Sequence, residues 1–348
     1  MSKIFLHIGI NKTGTSAIQS FFSHYREPLK AQGLLYPQTA CDGSAHYPLS
    51  QALGFSLGKA PSSASTAAQR EALRRALDEE IAAAGTPAVL LSSEIFVRPA
   101  DIKQVHDFFD REDVAILVYL RRHDTWFSAL YSQALKTAHK TKAAPHWKPE
   151  GIDAFVRFQC KRLNIQGHYR HLVDRWAAVF GRKNIIVRPY ESCQNAPDIV
   201  VDILRSIATE MQVDANAISQ LASIRSARRN TSLTPRALQI LEVFQRAKLD
   251  PGVRAKLIHY ALSLPVNEPR EFILSPARRL QLIEENAADY EYIAREYMGR
   301  EDGQLFYDPL PDLNEPWEPP KPLTPCEIVE ETVAALSAFE SKTPGPSA

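Results

Sequence analysis

The stretch KIFLHIGINKTGTSAIQ, residues 3 to 19, decides how the rest of the chain is read. Residues 4 to 8 hold four apolar side chains, the pattern of a buried parallel strand. Gly9 to Gly14 reads as a tight loop, and a helix starts at Thr15, with Ile18, Phe21, Phe22 and Tyr25 at i, i+3, i+4 and i+7 on one apolar face. A strand, a glycine-bearing loop and a helix N-terminus make an anion site, because free backbone NH groups and the positive end of the helix dipole converge on one point. Lys12 adds a full charge to this site, and Thr15 and Ser16 add hydroxyls. The loop is not a Walker A sequence, which places its lysine directly after the second glycine; here Lys12 precedes Gly14. An ordinary ATPase is thereby disfavoured.

Working outward, the 348 residues suffice for a full α/β core, expected as one domain over 1–308 followed by a Pro-rich extension with a short helix over 309–348. Net charge is +1, with 23% charged and 45% hydrophobic residues, which points away from disorder and from bulk nucleic-acid binding, so any anion site is local. Cys41, Cys160, Cys193 and Cys326 are far apart and show no CxxC or metal-ligand spacing, as expected of reduced cysteines in a cytoplasm. The first residues already form the expected core strand, leaving no signal peptide, and no run of about 18 apolar residues spans a membrane. The expected location is cytoplasmic.

Further strands are expected at 34–37, 88–94 (AVLLSSE), 114–122 (VAILVYLRR) and 184–191 (NIIVRPYE). Helices are expected at 65–84, from 125 with Asp124 as N-cap, and at 152–164, 167–180 and 197–210. The alternation predicts a parallel sheet flanked by helices, with right-handed crossovers. From residue 215 the chain reads as mostly helical, including 234–248, 276–298 and 326–341, and the seven prolines between Pro309 and Pro325 predict an extended stretch.

In an open parallel sheet, ligands bind beyond the carboxyl ends of the strands. Those exits are His7 to Ser16, Ser92 to Glu94, Arg121 to Asp124 and Arg188 to Glu191. Residues 125–149 contain no acid but carry Lys136, Lys140, Lys142 and Lys148; residues 215–241 likewise lack acids and carry Arg225, Arg228, Arg229 and Arg236. Both segments suit anions or a solvated basic face.

HIGINKTGTS, residues 7 to 16, resembles the 5'-phosphosulfate loop of sulfotransferases, which use 3'-phosphoadenosine 5'-phosphosulfate (PAPS). VYLRRHDTWFSALYSQ resembles the second cofactor element of that superfamily, in which an arginine at a strand end and a serine eight residues on hold the 3'-phosphate. Arg121 matches the arginine, but Ala129 occupies the serine position; Ser128 lies about 100° around the helix and Ser132 about one turn on. The resemblance runs over residues 3 to 210 and is strongest to bacterial proteins that begin with this loop. It implies a P-loop-like three-layer α/β fold with a helical C-terminal part. It also implies sulfuryl transfer from PAPS, without a metal, to a hydroxyl or amine, carbohydrates included. Gly9, Lys12, Thr13, Gly14, Thr15 and Ser16 would then hold the phosphosulfate, Arg121 and Ser128 the 3'-phosphate, and Arg228 and Arg229 would close over it. Lys12 would stabilise the leaving oxygen. A Glu or His near the second exit serves as base in such proteins, which makes Glu94 the first candidate and His46 the second. Lys136 to Lys148, with His146 and Trp147, would rim the acceptor. Two other classes remain open at this point: a Mg-dependent phosphotransferase and a non-catalytic nucleotide-binding or interaction protein.

Overall fold

The computed structural model describes residues 2–56, 65–111, 113–137, 150–162, 168–211, 233–247, 249–264 and 272–340. The chain divides into two compact units, the first formed by Met1–Arg122, Leu163–Ser226 and Glu285–Pro309, the second by His123–Arg162, Ala227–Glu284 and Leu310–Ala348.

The first unit is built on a parallel sheet of five strands: β1 (Lys3–His7), β2 (Leu34–Leu35), β3 (Ala88–Ser92), β4 (Val114–Leu120) and β5 (Ile185–Pro189). Their order is β2-β3-β1-β4-β5. This is the P-loop-like α/β arrangement expected from the strand and helix alternation. A strand buried on both faces need not alternate apolar with polar residues, which is why all seven residues of β4 are both apolar or aromatic and buried. On one face, Phe5, Leu90, Leu117 and Tyr119 pack against Ile18, Phe21 and Phe22 of α1 (Thr15–His24) and against Ile203, Leu204 and Ile207 of the helix Ile199–Met211. On the other, the helix Tyr169–Phe180 packs on β4 and β5, and its Trp176 stacks with Phe55 and meets Phe96 edge-on.

The chain reaches β3 by way of the edge strand β2 and then crosses β1 to form β4 on its far side. β1 is therefore where the strand order reverses, and its carboxyl end is the place such a sheet reserves for ligands. Register places His7 beside Ser92 of β3 and Leu117 of β4.

The second unit is helical. The helix His123–Thr137 packs against Pro235–Arg246 and Pro276–Glu284, and Pro251–Ser263 packs against Pro235–Arg246 and Pro325–Glu340. Asp124, the expected cap of the first of these helices, lies instead in its opening turn, and its buried carboxylate pairs with Arg279 at 3.2 Å. The Arg279 guanidinium also lies 3.5 Å from the Phe272 ring centroid. The stretch 276–298, expected as one helix, forms two, Pro276–Glu284 and Ala287–Met298, and the boundary between the two units falls at Glu285. Among the described residues no helix is long and apolar enough to cross a membrane.

Candidate functional site

Backbone conformation shapes the loop that follows β1. Gly9, Lys12 and Gly14 all have positive φ, at 24°, 70° and 78°. For lysine the left-handed region costs about 1–2 kcal/mol, so something must hold it there. Part of the answer is Arg121, whose Nη1 donates to the Lys12 carbonyl at 2.9 Å. Arg121 also lies over the Tyr190 ring, 5.3 Å from its centroid, while its own carbonyl accepts from the Tyr169 hydroxyl at 2.6 Å. Left-handed residues at 12 and 14, separated by Thr13, alternate the hand of the backbone, the pattern by which backbones in general turn successive NH groups toward a concavity. Thr13 is buried, and its hydroxyl donates to the Ile10 carbonyl at 2.7 Å, bracing the loop from inside.

Gly14 is the N-cap of α1 and brings no side chain to it, while the NH groups of Ala17 and Ile18 bond to the Gly14 carbonyl. By helix geometry the NH groups of Thr15 and Ser16 then have no carbonyl one turn back within the helix. Thr15 is buried and Ser16 exposed, with Lys12 half-buried between. Close approach makes glycine necessary at both ends of the loop. A methyl on Gly9 would stand 2.6 Å from Thr15 Cγ2, and one on Gly14 would stand 3.1 Å from both Ile199 Cγ2 and Tyr190 Cε2.

Beside the loop lies a polar chain that no local pattern in the sequence announces. β3 stops at Ser92, and Ser93 caps a short 3-10 turn, Glu94–Val97, by accepting from the Ile95 NH at 3.3 Å. Glu94 thus opens a turn instead of ending the strand. Its Oε2 accepts from the Gln19 amide at 2.9 Å and its Oε1 from the Tyr47 hydroxyl at 2.6 Å. Burial first, and then the Glu94 carboxylate, push the Tyr47 hydroxyl well above its ordinary pKa, so it remains a donor. The Gln19 amide also reaches the Ser92 hydroxyl at 3.3 Å, which in turn lies 2.8 Å from His7 Nδ1. Gln19 sits one helical turn beyond Thr15, and a polar residue beside that apolar helix face is the signal that could have found it. Tyr47 offers no such signal.

His46, the second candidate base, sits elsewhere in its hydrogen bonding. Its Nδ1 accepts from the Ser92 NH at 3.1 Å and its Nε2 donates to the Pro37 carbonyl at 3.1 Å. Both ring nitrogens are spent on backbone, and burial lowers its pKa to about 4, so it fastens the loop 36–47 to the end of β3 as a neutral ring.

The adjacent arginines diverge. Arg122 is buried and donates to the Asp308 and Pro309 carbonyls at 2.7 and 3.0 Å, leaving Arg121 to the loop. In the second unit, Ser128 Oγ donates to the Asp124 carbonyl one turn back at 2.9 Å, and Lys136 is half-buried. Arg228 and Arg229 lie outside the described residues, as do Lys140, Lys142, His146, Trp147 and Lys148. At the end of β5, Glu191, Cys193 and Asp308 bring ligand-type atoms together. The Glu191 carboxylate there accepts from the NH groups of Tyr307 and Asp308 at 2.6 and 3.0 Å, and partial desolvation, with the Asp308 and Glu191 carboxylates alongside, raises the Cys193 thiol to about 12. That cluster pins the segment 305–308 to the sheet.

No family model matches the chain. A protein of Archaeoglobus fulgidus described only as "Uncharacterized protein" is 24% identical over 223 residues, which cover 61% of this chain and 54% of that protein. The chain thus spans about half the length of the curated relative it matches. Among solved structures, a sulfotransferase from Alicyclobacillus acidocaldarius matches with a TM-score of 0.41 and 18% identity, over 74% of this chain and 96% of that one.

Proposed function

We propose that the protein is a cytoplasmic sulfotransferase that moves a sulfuryl group from PAPS to a hydroxyl or amine acceptor, carbohydrates included. The observation that carries the reading is the closed loop after β1, in which a strand-end arginine, Arg121, holds the left-handed Lys12 by its carbonyl. The residues fit an anion of phosphosulfate type: the N-cap Gly14 brings no side chain to the first turn of α1, and a Cβ at Gly9 or Gly14 would meet its neighbours at about 3 Å or less. Gly9, Thr13, Gly14, Thr15 and Ser16 would hold the 5'-phosphosulfate, and Arg121 the 3'-phosphate.

When bound, the donor supplies a sulfuryl group on a phosphate leaving group. Glu94, held by Gln19 and Tyr47, takes the acceptor proton as the new bond to sulfur forms. Lys12 and the loop NH groups stabilise the negative charge that grows on the bridging oxygen as its bond to sulfur breaks. One preplaced donor of this kind is worth about 3 kcal/mol in a water-poor site.

Calorimetry tests the reading with adenosine 3',5'-bisphosphate, AMP and Mg-ATP on the wild-type protein and on Lys12→Ala. Metal-independent binding that needs the 3'-phosphate and weakens on loss of Lys12 is expected. Indifference to the 3'-phosphate, or preference for Mg-ATP, overturns it in favour of a phosphotransferase.

A further inference from the structure

His7 ends β1 and is fully buried. Its Nδ1 lies 2.8 Å from the Ser92 hydroxyl. That hydroxyl accepts from the Gln19 amide and can donate its own proton to Nδ1. In that tautomer the imidazole proton sits on Nε2. Burial keeps the ring neutral, lowering its pKa to about 3. Nε2 is itself buried with no hydrogen-bond partner, and it faces the first glycine of the anion loop: a methyl on Gly9 would stand 3.1 Å from it. A side chain at position 9 would lie against this nitrogen; glycine leaves only backbone beside it. Buried NH groups are almost always paired in folded proteins, so one left over beneath an anion-type loop points to a ligand.

We propose that the Nε2–H of His7 is a ligand-facing donor of the loop, hydrogen-bonding an oxygen of the phosphate- or sulfate-class anion seated there. This deepens the reading of the loop as an anion site and rests on it, but not on which nucleotide carries the anion. A neutral donor suits the position, because Lys12 already supplies charge and a second buried cation would be costly. The contact also links the loop to Glu94, since the Gln19 amide that bonds Ser92 bonds Glu94 as well.

The test is nitrogen NMR of the full chain with ¹⁵N-labelled histidine side chains, using inorganic pyrophosphate as the probe. His7→Gln, which loses the signal, assigns it. In the free protein the proton is expected on Nε2, and pyrophosphate is expected to move that resonance and slow its exchange with water. His7→Leu is expected to weaken pyrophosphate about tenfold, as loss of one hydrogen bond to a charged group does, while His7→Gln, which keeps an amide donor, stays closer to wild type. The inference is overturned if Nδ1 carries the proton, or if pyrophosphate binds and leaves the His7 signal unmoved. The wild-type spectra, assigned with His7→Gln, decide this even if His7→Leu fails to fold. The nucleotide reading fails separately: adenosine 3',5'-bisphosphate would then bind no more tightly than pyrophosphate while the His7 signal still moved. Binding of neither anion overturns both.

Discussion

Replacing Gly14 by alanine combines two costs that the structure lets one separate. The first is conformational. Gly14 has φ of 78°, and placing a Cβ there costs about 1–2 kcal/mol, partly offset by the smaller entropy of the unfolded chain. The second is steric. The new methyl would lie 3.1–3.2 Å from Ile199 Cγ2, Ile199 Cγ1 and Tyr190 Cε2. Ile199 is buried in the core against α1, and Tyr190 lies beneath the Arg121 guanidinium, so neither is the far end of a free side chain. Overpacking of this kind typically adds about 1–3 kcal/mol. Gly85→Ala is the matched control, since Gly85 has φ of 61° at a helix C-cap and a methyl added there would meet nothing within 4 Å. Native-state hydrogen exchange of the β1 amides reports the sheet of the first unit, and Gly14→Ala is expected to lower its opening free energy by about 2–4 kcal/mol, against about 1 kcal/mol for Gly85→Ala. Displacing Tyr190 also displaces Arg121 from the Lys12 carbonyl, so adenosine 3',5'-bisphosphate binding should fall in the first variant and persist in the second. Equal losses in the two variants would refute the packing argument, and unchanged ligand binding in Gly14→Ala would refute the link to Arg121.

Acid should destabilise the protein through the buried histidines His7 and His46. His7 and His46 have pKa values lowered to about 3 and about 4 by burial, below the unfolded value of 6.5. Between these limits the unfolded chain binds the protons and the folded one does not, so their contribution is complete above about pH 6.5 and is lost as pH falls toward 4. Each histidine contributes a slope of about 1.4 kcal/mol per pH unit in that window, which urea unfolding at successive pH values measures; His46→Gln should remove one of the two slopes. In the second unit, Asp124→Asn removes the buried ion pair with Arg279 and should cost about 3–5 kcal/mol. The double variant Asp124→Leu with Arg279→Met should recover much of this loss; additive costs in the double-mutant cycle would show that the pair is not coupled.

The sheet is legible in the sequence because its strands are short apolar runs separated by helical periodicity, and VAILVYL forms a strand almost to the residue. The helix Tyr47–Ala52 is illegible for the opposite reason, since six residues with Pro48 in the first turn carry no measurable periodicity. Glu94 is legible as a carboxylate at a strand exit, yet nothing local pairs it with Gln19, 75 positions earlier, or with Tyr47. Such partners are brought together by strand order, which a single sequence does not reveal. The arginine pair teaches the same lesson at short range. Arg121 and Arg122 are chemically identical neighbours, and only the closing geometry of the sheet sends one to the loop and the other to the carbonyls of 308 and 309.

The helix α1 couples these features into one device. Its first turn frames the anion loop, and one turn later Gln19 grips Glu94 and Ser92. On the same helix Ile18 and Phe22 are fully buried against the sheet and the helix Ile199–Met211. A rotation of α1 that improved one polar contact would expose this apolar face, because side chains in a close-packed core cannot slide continuously. The loop and the Glu94 carboxylate are thus held in register by a hydrophobic surface. If Glu94 accepts the proton and the loop binds the anion as proposed, the distance between them is set by core packing, and the polar residues only read it out.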